Sequence, residues 1–386
     1  MAASHFQFLT GSPASLAASR ISAHRGQKMP SRTSSASGPL VRIAVVGTGA
    51  IGRRHALFCM EEPDVSLVGI VDPAESAGGF AADLGVDHHR SLDALLERHK
   101  VDGIIIAAPT QLHRDIAMVA ISHGVSVLIE KPITVLPAEA AELVVAARST
   151  GAKILVGHHR RHNPVVQRAR EIVTHELGRL LAVNVLWALL KPPSYFEPDW
   201  RRRIGAGPIL TNLVHDVDLL RYICGEISSV TAQTKASARS HDVEDTVAVL
   251  LAFESGALGT LIGCDASPSP WSWDLNSGEN PLLPLSRENS YRFFGTEGAL
   301  EFPDLHLWRY RVDGEPGWTQ PISRENRTVH VAADAYRLQL QHFVRVITGE
   351  EEPLVSGEDG MRSLQATAAI LESAMTGRSV DPSRLT

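Results

Sequence analysis

A glycine-rich turn constrains the architecture of this chain more than any other stretch. Residues 41–52 read VRIAVVGTGAIG, and residues 42–46 have the apolar, β-branched character of a buried parallel strand. Gly47, Gly49 and Gly52 then form G-x-G-x-x-G, which leads into a helix-like stretch at 53–60. Such glycines allow a tight turn, close approach of the backbone to a pyrophosphate, and close packing of helix on strand. The helix N-terminus offers free N–H groups to the phosphates.

An acidic residue follows at the spacing that this turn requires. A second apolar strand at 66–71 ends at Asp72, about 20 residues after the last glycine, where a carboxylate binds ribose hydroxyls. A carboxylate repels a 2′-phosphate, so NAD is favoured over NADP. The alternative is that Asp72 only opens a turn before Pro73. The pattern predicts these cofactor-binding residues in this part of the chain: Gly47, Gly49, Ala50, Ile51, Gly52 and Asp72.

Charge and composition exclude several classes of protein. The net charge is −6 over 386 residues and no long basic run is present, so we expect no nucleic-acid partner. The longest apolar stretches are too short to cross a bilayer, so we expect no membrane partner. Three separated cysteines form no C-x-x-C pair, which suits a reducing compartment and predicts a cytoplasmic protein.

The first 39 residues differ from the remainder. They are rich in Ser, Ala and basic residues and contain no Asp or Glu, as in an organelle transit peptide. A disordered leader, or a true start at Met29, is the alternative. In either case we expect residues 1–39 to lie outside the fold.

Strands and helices alternate up to residue 157 and then change pattern. Further strand-like runs at 101–108, 125–129 and 153–156 predict a doubly wound parallel sheet, a Rossmann domain over 40–157. Residues 158–386 predict a second domain, of the α+β class with a mainly antiparallel sheet. Its C-terminal helix is expected to pack back on the Rossmann domain. Residues 267–288, rich in Pro, Ser and Asn, predict an exposed loop.

Ligands in such sheets lie beyond the carboxyl ends of the strands. Lys131 follows the strand at 125–129 and precedes Pro132, so its ammonium group could stabilise a developing alkoxide, although a solvated strand-end lysine is the alternative. His215, on a predicted helix at 209–224, could accept a proton, or be an ordinary interface histidine. Four further residues near strand ends are assigned to the cofactor: Pro109, Thr110, His113 and Glu130.

The two adjacent histidine pairs, His88–His89 and His158–His159, are expected not to bind metal. Neighbouring side chains diverge, and neither pair has a carboxylate or cysteine at ligand spacing. The sequence instead offers polar and aromatic candidates for a substrate site: His159, Arg160, Asn163, Trp200, Arg201, Thr211, Asn212 and His215.

Several motifs occur in an order that resembles the Gfo/Idh/MocA family of NAD(P)-dependent oxidoreductases. They are GTGAIG at 47–52, APTQLH at 108–113, EKP at 130–132, RRHNP at 160–164, GAGPILTNLVHDVDLLR at 205–221, FESGALGTL at 253–261 and FGTEGALEF at 294–302. The resemblance spans residues 41–380. It implies that Lys131 touches substrate and nicotinamide ribose and that His215 is the catalytic acid/base. It also implies that the sheet of the second domain is open, that this domain serves substrate binding and oligomerisation, and that the chain forms a homo-oligomer, a dimer or tetramer, through the exposed face of that sheet.

One position departs from the family pattern. Many sugar and inositol dehydrogenases of the family carry Asp four residues before the histidine, where this chain has Thr211. A neutral side chain cannot raise the basicity of His215 as a carboxylate would. Asn212 or Asp218 are the alternative partners for its ring.

The favoured function is an NAD-dependent dehydrogenase of a secondary alcohol in a sugar, cyclitol or related polyol. A glycosidase that uses bound NAD through oxidation, elimination and re-reduction is the first alternative. The second is a catalytically silent dinucleotide-binding protein, which the presence of both Lys131 and His215 disfavours.

Overall fold

The first half of the chain forms a parallel sheet, as the alternating pattern predicts. A computed structural model of the chain describes residues 39–311, 315–329 and 334–386, so the predicted leader lies outside the described residues except for residue 39. The sheet has the order β3-β2-β1-β4-β5-β6, the Rossmann order, and every pair of neighbours is parallel. Its strands are β1 (Val41–Val46), β2 (Val65–Val71), β3 (Asp87–His89), β4 (Gly103–Ile106), β5 (Ser126–Ile129) and β6 (Ile154–Val156).

Helices connect these strands. They are α1 (Ala50–Glu61), α2 (Ser76–Leu84), α3 (Leu92–Leu96), α4 (His113–Ser122) and α5 (Pro137–Thr150). The carboxyl ends of β1, β2, β4 and β5 therefore lie along one edge of the sheet, where the sequence places the cofactor. Strand β3 is a three-residue edge strand that the hydrophobic pattern did not predict, since only His89 of its residues is buried.

The second sheet is mixed and mainly antiparallel. Its order is β15-β14-β13-β12-β7-β10-β9-β8, with β11 also paired to β7, and only β7 and β10 run parallel. Its strands are β7 (Leu180–Leu190), β8 (Ile227–Lys235), β9 (Thr246–Phe253), β10 (Leu258–Cys264), β11 (Ala266–Trp271), β12 (Tyr291–Gly295), β13 (Ala299–Phe302), β14 (His306–Tyr310) and β15 (Ile322–Asn326).

The remaining helices cover one face of this second sheet, and some of them also pack against the first sheet. They are α6 (Pro164–His175), a π-helical turn (Ile209–Leu213) that leads into α7 (Val214–Cys224), α8 (Trp273–Asn276), α9 (Ala335–Thr348) and α10 (Gly357–Thr376). Phe343 of α9 and Leu364 of α10 belong to the apolar core of the first sheet. None of the helices in the described ranges combines the length and apolarity needed to span a bilayer.

The predicted exposed loop at 267–288 is wrong for residues 267–276. This segment contains most of β11 and all of α8, and Trp273 is 1% exposed. The polar composition of the segment made it look exposed in the sequence. In the structure its polar side chains turn inward and bond to other polar groups.

Candidate active site

The glycine turn has the geometry that a dinucleotide cradle needs. Gly47 has φ +95°, and a Cβ there would lie 2.5 Å from the carbonyl oxygen of Ala107. A Cβ on Gly52 would lie 2.0 Å from the carbonyl oxygen of Gly47, so only glycine permits this approach of helix to turn. A Cβ on Gly49, in contrast, would meet nothing within 4 Å.

The N-terminus of α1 is open beside this turn. Gly49 is the N-cap residue and no side chain caps the helix, so the N–H groups of its first turn, which includes Ala50 and Ile51, are available to an anion. These residues therefore fit the phosphates of a dinucleotide.

Asp72 directly follows β2 beside the turn. Its carboxylate accepts hydrogen bonds from the backbone N–H (2.8 Å) and hydroxyl (2.7 Å) of Thr48 and from the N–H of Ala74 (2.9 Å). Partial burial opposes ionisation, but these bonds outweigh it and lower the pKa of Asp72. The side chain is therefore an anion at the position expected for ribose recognition.

The loop after β4 is braced by His113. Its Nδ1 lies 3.0 Å from the carbonyl oxygen of Pro132 and its Nε2 lies 2.9 Å from that of Ala108. The buried ring thus joins the loops that follow β4 and β5, rather than presenting a free nitrogen to a ligand. Pro109 is exposed and Thr110 half-buried on the same loop.

Glu130 and Lys131 directly follow β5 and carry opposite charges. The Glu130 carboxylate lies 2.9 Å from Nε2 of the fully buried His55. Burial opposes its charge, but His55, His159 and Lys131 outweigh burial and lower the pKa of Glu130. The ammonium of Lys131 donates to the backbone carbonyl of Thr211 at 3.1 Å. Burial lowers the pKa of Lys131, with Glu130 opposing that shift.

His215 is the second residue of α7, the helix that continues directly from the π-helical turn. Its ring meets those of His158 and His159 edge-on, at centroid distances of 6.3 and 5.4 Å. Its Nδ1 is buried without a hydrogen-bond partner among the described residues. Burial, followed by the charges of Lys131 and Arg160, lowers the pKa of His215 well below 6.5. The imidazole is therefore neutral at physiological pH.

Neither alternative partner that the sequence suggested is hydrogen-bonded to His215 in the described part of the chain. Asp218 instead accepts two hydrogen bonds from Arg161, at 2.9 and 2.7 Å. The Asn212 carbonyl accepts from Lys191 Nζ and from the Thr211 hydroxyl, both at 2.9 Å. A π-helical turn does not repeat every 3.6 residues, so the α-helical spacing used for Thr211 and Asn212 does not hold there.

Lys191, which the sequence analysis missed, is a buried cation at the end of β7. Besides Asn212, it lies 3.3 Å from Asp265 and 4.7 Å from the centre of the Tyr195 ring. Burial lowers its pKa, with Asp265 opposing. A lysine just beyond the end of a strand, as Lys131 is, is the signal that could have revealed it.

Arg160 and His159 are held by residues from the segment that was predicted to be an exposed loop. Arg160 lies 3.6 Å from Asp216 and 3.4 Å from Asp274. His159 Nε2 lies 3.3 Å from Glu279, which also accepts from Asn163 (3.1 Å) and from the indole of Trp273 (2.8 Å). The amide of Asn163 is thus committed to this network.

The remaining substrate candidates lie apart from this network. Trp200 is 57% exposed. Arg201 stacks on Tyr195, at 4.3 Å from the ring centre, and donates to that residue's carbonyl oxygen at 2.9 Å. The structure gives neither side chain a contact with Lys131 or His215.

Comparison with known proteins agrees with this architecture. A 1,5-anhydro-D-fructose reductase from Ensifer adhaerens is 26% identical over 351 residues, 88% of this chain and 98% of the relative. The scyllo-inositol 2-dehydrogenase (NAD(+)) of Bacillus subtilis is 27% identical over 352 residues, covering 88% and 96%. The crystal structure of the Chromobacterium violaceum WlbA dehydrogenase in complex with NADH and UDP-GlcNAcA has the same fold, with a TM-score of 0.72 at 24% identity over 90% and 97% of the two chains.

Family models match both halves of the chain. Residues 41–158 match the oxidoreductase family's NAD-binding Rossmann fold, and residues 169–381 match its C-terminal alpha/beta domain. With the glycine turn, Asp72, Lys131 and His215 in place, the chain belongs to the Gfo/Idh/MocA family and is an NAD-dependent oxidoreductase.

Proposed function

We propose that this enzyme transfers hydride between NAD and a secondary alcohol of a sugar, cyclitol or related polyol. One observation supports the substrate class most directly. Five buried nitrogen atoms around His215 have no hydrogen-bond partner among the described residues: Nδ1 of His158, His159 and His215, and Nε and Nη1 of Arg160.

Each such atom carries a cost that a polar ligand can remove. A buried polar atom without a partner costs about 1–3 kcal/mol. Hydroxyl groups both donate and accept, so adjacent hydroxyls of a polyol can accept from Arg160 and bond to either form of an imidazole nitrogen. An apolar substrate would leave all five atoms without a hydrogen bond.

The catalytic roles follow from the charges of Lys131 and His215. Bound NAD supplies the nicotinamide carbon that exchanges hydride with the substrate. For oxidation, the neutral imidazole of His215 accepts the proton of the substrate hydroxyl. The Lys131 ammonium stabilises the negative charge that develops on that oxygen. For reduction, protonated His215 returns the proton.

Absorbance in the NADH band tests this proposal. Purified protein and NAD are mixed with a panel of sugars, cyclitols, hydroxy acids and glycosides. We expect a signal that grows with time for one class of polyol. Silence across the panel despite tight NAD binding would reject the dehydrogenase proposal. Cleaved glycoside without free NADH would then identify the NAD-recycling glycosidase, and no turnover of any kind would indicate a silent dinucleotide-binding protein.

We also propose that a second copy of the chain covers the open face of the second sheet. Register places Leu258, Ala182 and Phe294 in one row across β10, β7 and β12, and Leu258 and Phe294 are 54% and 40% exposed. Ile262, which is also exposed, pairs with Leu186 in a parallel row. An apolar face of this kind suits a self-complementary interface. Sedimentation velocity should show a dimer or tetramer that Phe294→Arg weakens, and a wild-type monomer at micromolar concentration would reject this assembly.

A cytoplasmic location remains part of the proposal. The three cysteines, Cys59, Cys224 and Cys264, are all free, as expected in a reducing compartment. Fractionation of cells that express the full chain would test it, and recovery in an organelle would instead favour a transit peptide.

A further inference from the structure

Three potential metal ligands meet at the outer edge of the Rossmann sheet. Asp87 and His89 lie on edge strand β3, and His99 follows α3. One ligand atom from each side chain lies within 4.8 Å of the other two. Alternate residues of a strand share a face, so Asp87 and His89 point the same way. His88 points the other way, and its Nε2 lies 2.8 Å from the carbonyl oxygen of Asp72.

His89 supplies the observation that points to a ligand. Its side chain is buried, with 6% exposure, and its Nε2 has no hydrogen-bond partner among the described residues. The ring of His99 stands edge-on to it at a centroid distance of 5.2 Å. Histidine binds a metal ion through a ring nitrogen that carries no proton.

We propose that Asp87, His89 and His99 bind one divalent transition-metal ion, of which Zn²⁺ and Ni²⁺ are the best-matched examples. Two imidazoles and one carboxylate are a donor set that such ions accept, and Mg²⁺ and Ca²⁺ prefer oxygen ligands only. Three protein ligands leave a further position for water. Adjacent histidines diverge, as expected from the sequence, but folding brings His99 and Asp87 to His89.

The side chains of Asp87 and His99 are exposed enough to move toward His89 when an ion binds. Ligand atoms about 2.0–2.2 Å from a tetrahedral ion lie roughly 3.3–3.6 Å from one another. The three ligand atoms here lie within 4.8 Å of one another, so they must come closer together to bind an ion. The side chains of Asp87 and His99 are 65% and 25% exposed, and they already lie 3.1 Å apart at Oδ2 and Nε2. They can therefore rotate toward the ring of His89 without repacking the core.

Such an ion would fasten the edge strand to the end of the α3 segment. The backbone carbonyl of His89 already accepts from the N–H of Asp72 at 3.0 Å. Binding only to the folded state raises stability by mass action. The ion should therefore raise the melting temperature of the cofactor-free protein, and this readout does not depend on turnover.

Calorimetric titration of the untagged, chelator-treated full chain with NiCl₂ tests the proposal. We expect one ion per chain and a higher melting temperature. His99→Gln should lower the affinity at least tenfold and abolish the thermal shift, and Asp87→Asn should have a smaller effect in the same direction. His123→Gln is the matched control, because His123 is an exposed histidine of the same domain that lies outside the cluster. Circular dichroism of each variant without metal establishes that it folds.

Two outcomes would overturn the site. One is no saturable binding at an ion concentration of about 100 μM. The other is equal loss of affinity in His99→Gln and His123→Gln, which would mean adventitious binding to surface histidines only. Since His99 lies at the rim and the buried His89 is left intact, failure to fold does not complicate the comparison. Because the site lies outside the catalytic residues, failure here would leave the dehydrogenase proposal untouched.

Discussion

The ammonium group of Lys131 donates a hydrogen bond to the backbone carbonyl of Thr211 at 3.1 Å. This contact joins the carboxyl end of a Rossmann strand to the π-helical turn of the second domain, four residues before His215. Burial lowers the pKa of the His215 imidazole, and the nearby charge of Lys131 lowers it further. The proposed alkoxide-stabilising and proton-accepting groups are therefore coupled electrostatically as well as by position.

Replacing Lys131 with methionine removes the charge and keeps an apolar side chain of similar length. We expect Lys131→Met to lower kcat by about 10²–10³-fold, the usual cost of losing one group that stabilises an oxyanion. NAD affinity, measured by fluorescence titration, should change only a few-fold. Lys153→Met is the control, because Lys153 forms an exposed ion pair with Glu352 at the far side of the sheet. Turnover close to wild type in Lys131→Met would show that the assigned role is wrong.

The pH profile of alcohol oxidation should report both groups. His215 must be neutral to accept a proton, so activity is lost as pH falls through its lowered pKa, below 6.5. Lys131 must be charged, so activity is lost as pH rises through its own lowered pKa, below 10.5. His215→Gln should reduce kcat by about 10²–10⁴-fold and remove the acidic limb. If the limb persists unchanged in that variant, another group is the base.

Asp72 should determine the choice between NAD and NADP. Its lowered pKa keeps a negative charge at the position where we expect the 2′-phosphate of NADP to lie. Asp72→Ser removes that charge, so kcat/KM should fall for NAD and rise for NADP, with a combined change of tenfold or more. Asp83→Ser, an exposed aspartate on α2, serves as the control. An unchanged ratio of the two kcat/KM values would leave Asp72 as a turn residue only.

The sequence alone was sufficient to place those parts of the candidate site whose position depends on nearby residues in the chain. The glycine turn, Asp72 and Lys131 follow from short motifs placed at strand ends, and parallel strands bring those ends to one edge. The π-helical turn could not be predicted, because over five residues its apolar pattern is indistinguishable from that of an α-helix. Trp273 and Glu279 were missed because their burial depends on distant partners such as His159, which no local pattern reveals.

Lys191 should affect substrate binding more than chemistry. Its ammonium bonds to Asn212, next to the backbone that receives Lys131, and it has no contact with His215 in the described structure. Lys191→Met leaves Asp265 paired with Arg239 and leaves the Asn212 side chain with the Thr211 hydroxyl as its hydrogen-bond donor. We expect a five- to tenfold rise in KM for the polyol and little change in kcat or NAD affinity. Steady-state kinetics measure KM and kcat separately. A fall in kcat at constant KM would instead place Lys191 in the catalytic step.

Glu279 joins its segment to His159, and its charge should make that contact dependent on pH. Burial opposes its ionisation, but His159, chiefly, and Arg160 outweigh burial and lower the pKa of Glu279 from 4.5 to about 2. A depressed pKa in the folded state contributes stability above pH 4.5 that is lost as pH falls toward 2. Glu279→Gln should therefore unfold at lower urea concentration than wild type at pH 7, and the difference should shrink between pH 4.5 and 2, since protonated Glu279 resembles glutamine. Glu288→Gln, at an exposed position of the same segment, should show no such difference. A wild-type advantage that stays constant across this range would mean that the carboxylate charge does not hold the segment in place.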